Sequence, residues 1–347
     1  MKTKRFFLLA PVLFASQFCL SQDLTDLNEF MKAEKADANR LLASYISPAL
    51  NAISNGTNSG WFTTAKTHKP LGFDLGVSLA AVFVPSSDNY FTPSLTNTTF
   101  NNTTNPGAGA PTVFGPKDKT RYTSNYDPDG NGPLASQSIS FDGPEGLDLG
   151  KNIGFSAMLV PTLQIGIGTI KNTDLKIRYV PEIKKESSGI KMFGVAIMHS
   201  LSQYMGKLKE MPFDLAVLAS YNSISGNSSL VSATSVVSKD GNLHMKFSAW
   251  SIHALISKKL SVLTVYAAAG YGSVTSTADI TGTFTFNSNL DGSQLISITN
   301  PLSMSVDNSS ARLTGGLRLK LGPFYINGDY TLQKYNTLTV GTGLAIR

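Results

Sequence analysis

Arg312-Leu313-Thr314-Gly315-Gly316-Leu317-Arg318-Leu319-Lys320-Leu321 alternates without a break. Leu313, Gly315, Leu317, Leu319 and Leu321 fall on one side of an extended chain, and Arg312, Thr314, Gly316, Arg318 and Lys320 on the other, because successive strand side chains point to opposite faces. A leucine face set against a cationic face is the pattern of a wall between hydrocarbon and water. Gly322-Pro323 then makes a turn, and Phe324, Ile326, Gly328, Tyr330 and Leu332 form the next apolar face, with Asp329 on its reverse.

The same period extends back through the chain. Phe73, Leu75, Val77, Leu79, Ala81 and Phe83 share a face opposite Asp74, Gly76 and Ser78. Leu163, Ile165 and Ile167 alternate with Gln164, Gly166 and Gly168, and Leu175, Ile177 and Tyr179 alternate with Lys176 and Arg178; Lys171-Asn172-Thr173-Asp174 between them reads as a tight turn. Phe193 to Ile197 and Phe213 to Tyr221 continue the series. Trp250, Ile252, Ala254 and Ile256 are read as facing away from Lys246 and Ser248, and weaker runs lie near 228–237, 278–287 and 292–299. The expected fold is an all-β membrane protein, an antiparallel transmembrane β-barrel over residues 71–347 with about 14 strands, since single-chain bacterial barrels favour even numbers. No apolar stretch of about 18 residues follows the N-terminal leader, so a spanning helix is not expected.

The N-terminal 70 residues are different. Lys2, Lys4 and Arg5, then the apolar stretch Phe6 to Phe14, then a small and polar exit read as a signal peptide over 1–22, cleaved near Gln22. Its loss removes the only cysteine, Cys19, so no disulfide staples the mature chain. It also removes three basic residues, leaving 26 against 23 acidic ones, too mild an excess for nucleic-acid binding. Over 23–70, Ala38, Leu41, Leu42, Tyr45, Ala49 and Ile53 recur at helical spacing. Ser47-Pro48 reads as a helix restart and Asn55-Gly56 as a stop. The stripe fits a lead-in packed outside the barrel or a helical hatch folded into its lumen, and the hatch would bury it.

Residues 86–151 are rich in Asn, Thr, Gly and Pro, a composition read as a long extracellular loop without a core of its own. Its Asp127-Pro128-Asp129-Gly130-Asn131-Gly132 cluster lacks the spaced carboxylates and terminal Glu of a calcium loop. The sequence contains no nucleophile elbow, zinc helix, Walker loop or dinucleotide fingerprint. Ser251 and His253 share a strand face, but no third orienting group accompanies them, so no catalytic, metal or cofactor residue is expected and the chain is read as no enzyme. Eight polar side chains are expected to face the lumen: Asp74, Gln164, Lys176, Arg178, Arg312, Arg318, Lys320 and Asp329. Their cations either draw an anionic solute inward or hold plug to wall by pairing with carboxylates. Tyr266, Tyr271, Tyr325, Tyr330 and Tyr335 are read as interfacial girdle residues.

The ending Thr339-x-Gly341-x-x-Leu344-x-Ile346 resembles the C-terminal signal by which outer-membrane β-barrels are recognised for insertion. Asn58-Ser59-Gly60-Trp61-Phe62, Ala65-Lys66 and Leu71 to Leu75, then Pro161 to Gly166 with Lys176 to Pro181, then Tyr335 to Arg347 resemble a family of uncharacterised outer-membrane β-barrels from Bacteroidota. Its members carry no assigned substrate or catalytic residue. The N-terminal hatch and long early loop are more distantly similar to the long-chain fatty-acid transporters, whose Asn-Pro-Ala hatch signature is absent here. That resemblance implies a plugged channel of the bacterial outer membrane admitting small hydrophobic or amphipathic molecules, with a hydrophobic ligand, outer-membrane lipid and the barrel-assembly machinery as partners. The alternative is a non-transporting scaffold or assembly partner.

Overall fold

A computed structural model describes residues 24–125, 138–153, 156–185, 188–205, 212–230, 237–287 and 295–346. The leader read at 1–22 and the Asp127 to Gly132 cluster lie outside the described residues. Strand β1 (Phe73–Phe83) is followed by five short strands in the long connection: β2 (Tyr90–Phe91), β3 (Thr98–Asn102), β4 (Ala110–Pro111), β5 (Thr120–Asn125) and β6 (Ser138–Asp142). The wall resumes with β7 (Ala157–Gly168), β8 (Thr173–Lys185), β9 (Ser188–Ser200) and β10 (Asp214–Ser229). It continues through β11 (Val237–Leu260), β12 (Leu263–Asn287), β13 (Leu295–Thr299), β14 (Leu302–Leu321), β15 (Phe324–Leu332) and β16 (Thr337–Ile346).

The ring runs β1-β7-β8-β9-β10-β11-β12-β14-β15-β16 and closes when β16 pairs with β1, from Phe73↔Ile346 to Val82↔Thr337. Every ring pair is antiparallel. Among the described residues this is a closed barrel of ten strands, not 14, with β13 outside the ring on the far end of β12. The excess has a physical origin. Residues 278–287 continue the 25-residue β12, and the described strand positions within 228–237 are the end of β10 and the start of β11. A bilayer needs only about 9–11 tilted residues per strand. Three strands here reach 20 to 25, and alternation carries no mark of where a strand leaves the membrane.

Closure leaves no free edge at bilayer depth, the condition that lets strands replace helices there. The outer face is apolar: Ile177, Ile197, Ile252, Leu313, Leu317, Ile326 and Val340 all point outward and are exposed. An upper row of aromatics, Tyr179, Phe193, Tyr221, Trp250, Tyr271 and Tyr330, bounds this belt. On β11 the ten steps from Trp250 to Leu260 cover about 34 Å of strand, or about 26 Å along the membrane normal at a tilt of about 40°. That matches the apolar band of an outer-membrane barrel, about 25 Å. Tyr266, Tyr325 and Tyr335 are not in the girdle but buried inside. Tyr325 has opposite parity to its outward neighbours Phe324 and Ile326, and Tyr266 opposite parity to Tyr271. Lys246 and Ser248 share the outward face of Trp250, because β11 has already left the belt there.

One end of the barrel has short turns, at 169–172, 261–262 and 322–323. Lys171 and Asn172 both have positive φ, 54° and 51°, the signature of a type I′ turn. The other end carries the 73-residue-long connection between β1 and β7 and the projecting ends of β10 to β14. Short turns mark the periplasmic end of such barrels and long connections the outer end.

The lumen is filled by the chain that precedes β1. A 3-10 segment (Leu24–Lys32) and a 23-residue helix (Lys35–Thr57) enter at the end with long connections, and residues 58–72 descend to the end with short turns. The helix does not restart at Pro48 but runs through it. An interior proline costs about 3 kcal/mol in a free helix; here Leu50 packs on Met192, Phe247 and Val274, and Ala52 on Val82 and Val160, which offsets that loss. From Ser54 to Thr57 the helix carries no large apolar side chain. Gly56 is required by closeness: a Cβ there would lie 2.6 Å from Val160 Cγ2.

The loop segment contributes to a core after all. β3, β5 and β6 form a sheet whose inward Tyr122, Ile139 and Phe141 pack on Phe30, Leu41 and Leu42 of the plug and on Leu243, Ile280 and Phe284 of the projecting wall. Tyr122 stacks on Phe141 with centroids 5.4 Å apart and meets Phe30 edge-on at 5.6 Å. Alternation within strands of five or six residues supplies this face despite the polar composition.

Candidate functional site

The helix ends at Thr57 inside the membrane-level lumen, with its last carbonyls unpaired by helix geometry. The segment itself answers part of this need: Ser59 Oγ donates to Asn55 O and Ser59 N to Gly56 O, each at 3.0 Å. No basic residue stands in the helix's last turn. The wall provides the cations instead. Arg178 donates through Nη1 to Thr57 O and through Nη2 to Ser59 O, both at 2.9 Å, and through Nε to Gln164 Oε1 at 3.0 Å. Its guanidinium lies 3.7 Å from the centroid of the Trp61 ring. From across the lumen, Arg312 Nη2 donates to Ser59 Oγ at 2.7 Å and Asn55 O at 3.4 Å. Cations at a helix C-terminus oppose its negative dipole end, and the planar guanidinium serves two carbonyls at once.

The eight polar residues read from alternation divide into groups. Gln164, Arg178 and Arg312 meet at the end of the plug helix, and Asp329 joins Arg312 in lining a narrow cleft with Asn58, Gly60 and Phe62. Asp329 accepts from Tyr266 OH at 3.0 Å. Asp74 and Arg318 lie within electrostatic range of one another, with Arg318 stacked 4.1 Å over the Tyr325 ring. Lys176 is buried beside Asp174, and Lys320 Nζ donates to Ala345 O at 2.7 Å, tying β14 to the last strand. The two clamp arginines thus hold plug to wall through backbone carbonyls and the Ser59 hydroxyl, and among the described residues no carboxylate of the plug hydrogen-bonds to them.

Other site residues escape a reading by strand parity. His68, where the plug leaves the lumen, presents its backbone N–H and Nδ1 to the two oxygens of Asp174, each at 2.9 Å. Asn222 Nδ2 donates to Thr57 O at 3.3 Å, Ala65 N to Ser257 Oγ at 2.9 Å, and Asn58 Nδ2 to Trp250 O at 3.3 Å. The usable signal was the Asn58 to Phe62 segment, conspicuous for its lone tryptophan between polar residues. Ser251 and His253 do come together, Oγ to Nε2 at 3.1 Å, with Ser220 Oγ 2.7 Å from Ser251 Oγ. Both are buried, and the Phe62 ring covers the imidazole at 5.3 Å. Among the described residues no group of His, Cys, Asp and Glu is arranged to hold a metal ion, and no helix is long and apolar enough to cross a membrane.

The structure is similar to solved outer-membrane barrels at low identity. The translocator domain of the autotransporter NalP from Neisseria meningitidis is 10% identical, with 88% of this chain and 95% of that chain covered and a TM-score of 0.29. The outer membrane protease OmpT from Escherichia coli is 9% identical over 79% of this chain and 95% of that one, at 0.27. The β domain of the Bordetella autotransporter BrkA is 8% identical over 79% and 99%, at 0.26. No curated protein matches the sequence. A family match spans residues 1–346, so this plugged barrel belongs to the family of unknown function DUF6588.

Proposed function

We propose that the chain is a closed, non-catalytic barrel of the bacterial outer membrane whose working face is a folded cap held outside the cell. The observation that carries this reading is a single apolar core shared by the plug, the β3-β5-β6 sheet and the projecting wall. A lid that opens to admit solutes would be expected to rest on separable contacts. This one shares Phe30, Leu41, Tyr122 and Phe284 in one cluster, and beneath it the cleft at the arginine clamp has no room for solvent. The cap is therefore read as the scaffold or partner-binding part and the barrel as its anchor.

The test joins conductance to topology. Full-length protein in planar bilayers is expected to give no steady pores, whereas deletion of 24–57 gives them. An epitope inserted between residues 23 and 24 is expected to bind antibody on intact cells, because the plug enters from the outer end. The channel reading, admission of small hydrophobic or amphipathic molecules, requires the plug to shift. Saturable uptake of a fatty acid or detergent into liposomes by the full-length chain would establish it and overturn the closed reading. An epitope reached only after permeabilisation would reverse the assigned orientation.

A further inference from the structure

Above the aromatic row, the outer wall between β8 and β12 carries an open groove of about 440 Å³. It is distinct from the lumen: Lys191, Ser225, Asn227, His244, Lys246 and Asp279 have the outward parity of their strands, and only Gly226 and Met245 of β10 and β11 belong to the inward one. Lys191 on β9 and Lys246 on β11 both pair in register with Ser225 of β10, so the two lysines flank one row of the sheet. Their backbones are two strand spacings apart, about 10 Å, within which flexible ammonium groups can converge on one anion. Asn227 and His244 form the next row, and Glu182 and Asp279 stand at the two sides. Gly189, the partner of Asn227 on β9, lets the Asn227 amide and the Glu182 carboxylate lie close over the strand; a Cβ there would lie 2.9 Å from Asn227 Oδ1 and 3.2 Å from Glu182 Oε1. Among the described residues no hydrogen bond or ion pair engages the ammonium group of Lys191 or Lys246.

Height decides what meets this groove. Lys191 lies two residues above Phe193 of the aromatic row, and Lys246 lies four above Trp250. Both therefore stand in the headgroup layer, where basic side chains meet anionic lipid. A groove of this size suits a ligand of many atoms rather than a single phosphate ion. Its chemistry is mixed: two ammonium groups suit phosphate, while an amide, an imidazole and two carboxylates suit hydroxyls. Asp279 already shows that habit, accepting from Ser303 Oγ at 2.7 Å. The carboxylates also count against a purely anionic ligand. We propose that the groove binds the phosphorylated sugar headgroup of an outer-leaflet glycolipid, whose acyl chains lie along the belt below Phe193, Tyr221 and Trp250.

Native mass spectrometry of the full-length protein in detergent tests this with bis-phosphorylated lipid A, the same lipid stripped of phosphate, its deacylated headgroup, and phosphatidylcholine as probes. Retention of the phosphorylated glycolipid is expected to exceed each of the others at least tenfold. The Lys191→Gln/Lys246→Gln variant is expected to lose most of that margin, while Lys258→Gln at the opposite end of β11 keeps it. Equal retention of the dephosphorylated lipid, or an undiminished margin in the double variant, overturns the proposal. Deacylated headgroup binding as tightly as the intact lipid overturns the lipid assignment in favour of a soluble phosphosugar. The wild-type comparisons stand even if the double variant fails to fold. None of these outcomes depends on conductance, so this proposal and the closed-barrel reading can fail separately.

Discussion

The lumen at membrane level and the cap above it are built from the same plug, yet they are held by opposite chemistry. In the cap, Phe30, Leu41, Leu42, Tyr122 and Phe284 make an ordinary apolar core. At membrane level the plug helix ends in unpaired carbonyls, and two buried arginines from opposite walls donate to them and to the Ser59 hydroxyl. The difference follows from where the helix stops. Midway along a helix the backbone is paired and only side chains need partners; at its C-terminus the backbone itself does. A wall able to place inward-facing arginines at that height can hold a helix end where water is scarce. Such a clamp is directional and specific, whereas the cap is held by area and shape.

The largest effect is expected where a donor fork is removed. Arg178→Ala leaves Thr57 O and Ser59 O short of charged donors and strips the face of Trp61, so a loss of about 3–5 kcal/mol is expected from bonds to a charged group in a buried site. Thermal unfolding in detergent measures it. Planar-bilayer recordings should show leak currents in the same variant, because the clamp lies within the membrane span. Arg178→Lys keeps the charge but not the planar fork and should recover only part of the loss. Adding Arg312→Ala should cost less than the sum, since both arginines serve the Asn55 to Ser59 turn. Full additivity would break the clamp as a unit.

Phe284→Ala probes the other region. Removing a fully buried ring from the cap is expected to cost about 3–4 kcal/mol locally. Limited proteolysis should then cut within 86–148 at much lower protease concentration, with no leak current. A leak in this variant would mean that cap and clamp are one cooperative unit. Asp37→Asn is a milder test of the joint between them. Asp37 is fully buried near the start of the helix and accepts from Thr96 N at 3.0 Å and Asn97 N at 2.9 Å, pinning the long connection to the plug. Loss of the charge should cost about 1–2 kcal/mol, read as faster cap proteolysis.

The two regions also differ in how far they could be read from the chain. Parity is a local property, so the inward side of Arg312 or Arg318 is legible from ten residues. What Arg312 touches is not, because that depends on the helix ending at Thr57, 255 positions earlier in the sequence. Pro48 misled for a related reason: a proline ends a free helix, but a helix packed on every side is supported by its surroundings. The excess of strands arose because the polar outward run Ser273, Thr275, Thr277, Asp279 keeps the period of a spanning strand after leaving the belt. The cap sheet was hidden by composition, since a few inward residues such as Tyr122 and Phe141 are diluted among asparagines and threonines.

Alkaline titration gives the smallest effect and probes the cap through its buried phenols. The Tyr122 phenol in the cap is held above the usual tyrosine range by burial, and that of Tyr335, in the loop joining β15 to β16, by burial and by its hydrogen bond to Asp88. A phenol whose folded pKa is raised keeps its proton more tightly in the folded state. Its contribution to stability is therefore complete below the unfolded value near 10 and declines as the pH rises past it. Between about pH 10 and 11.5, then, cap proteolysis should accelerate. Tyr122→Phe, which has no proton to lose, should delay the proteolysis to higher pH; an unchanged onset in this variant would place the sensitive phenols in the lumen, where Tyr266 and Tyr325 are buried.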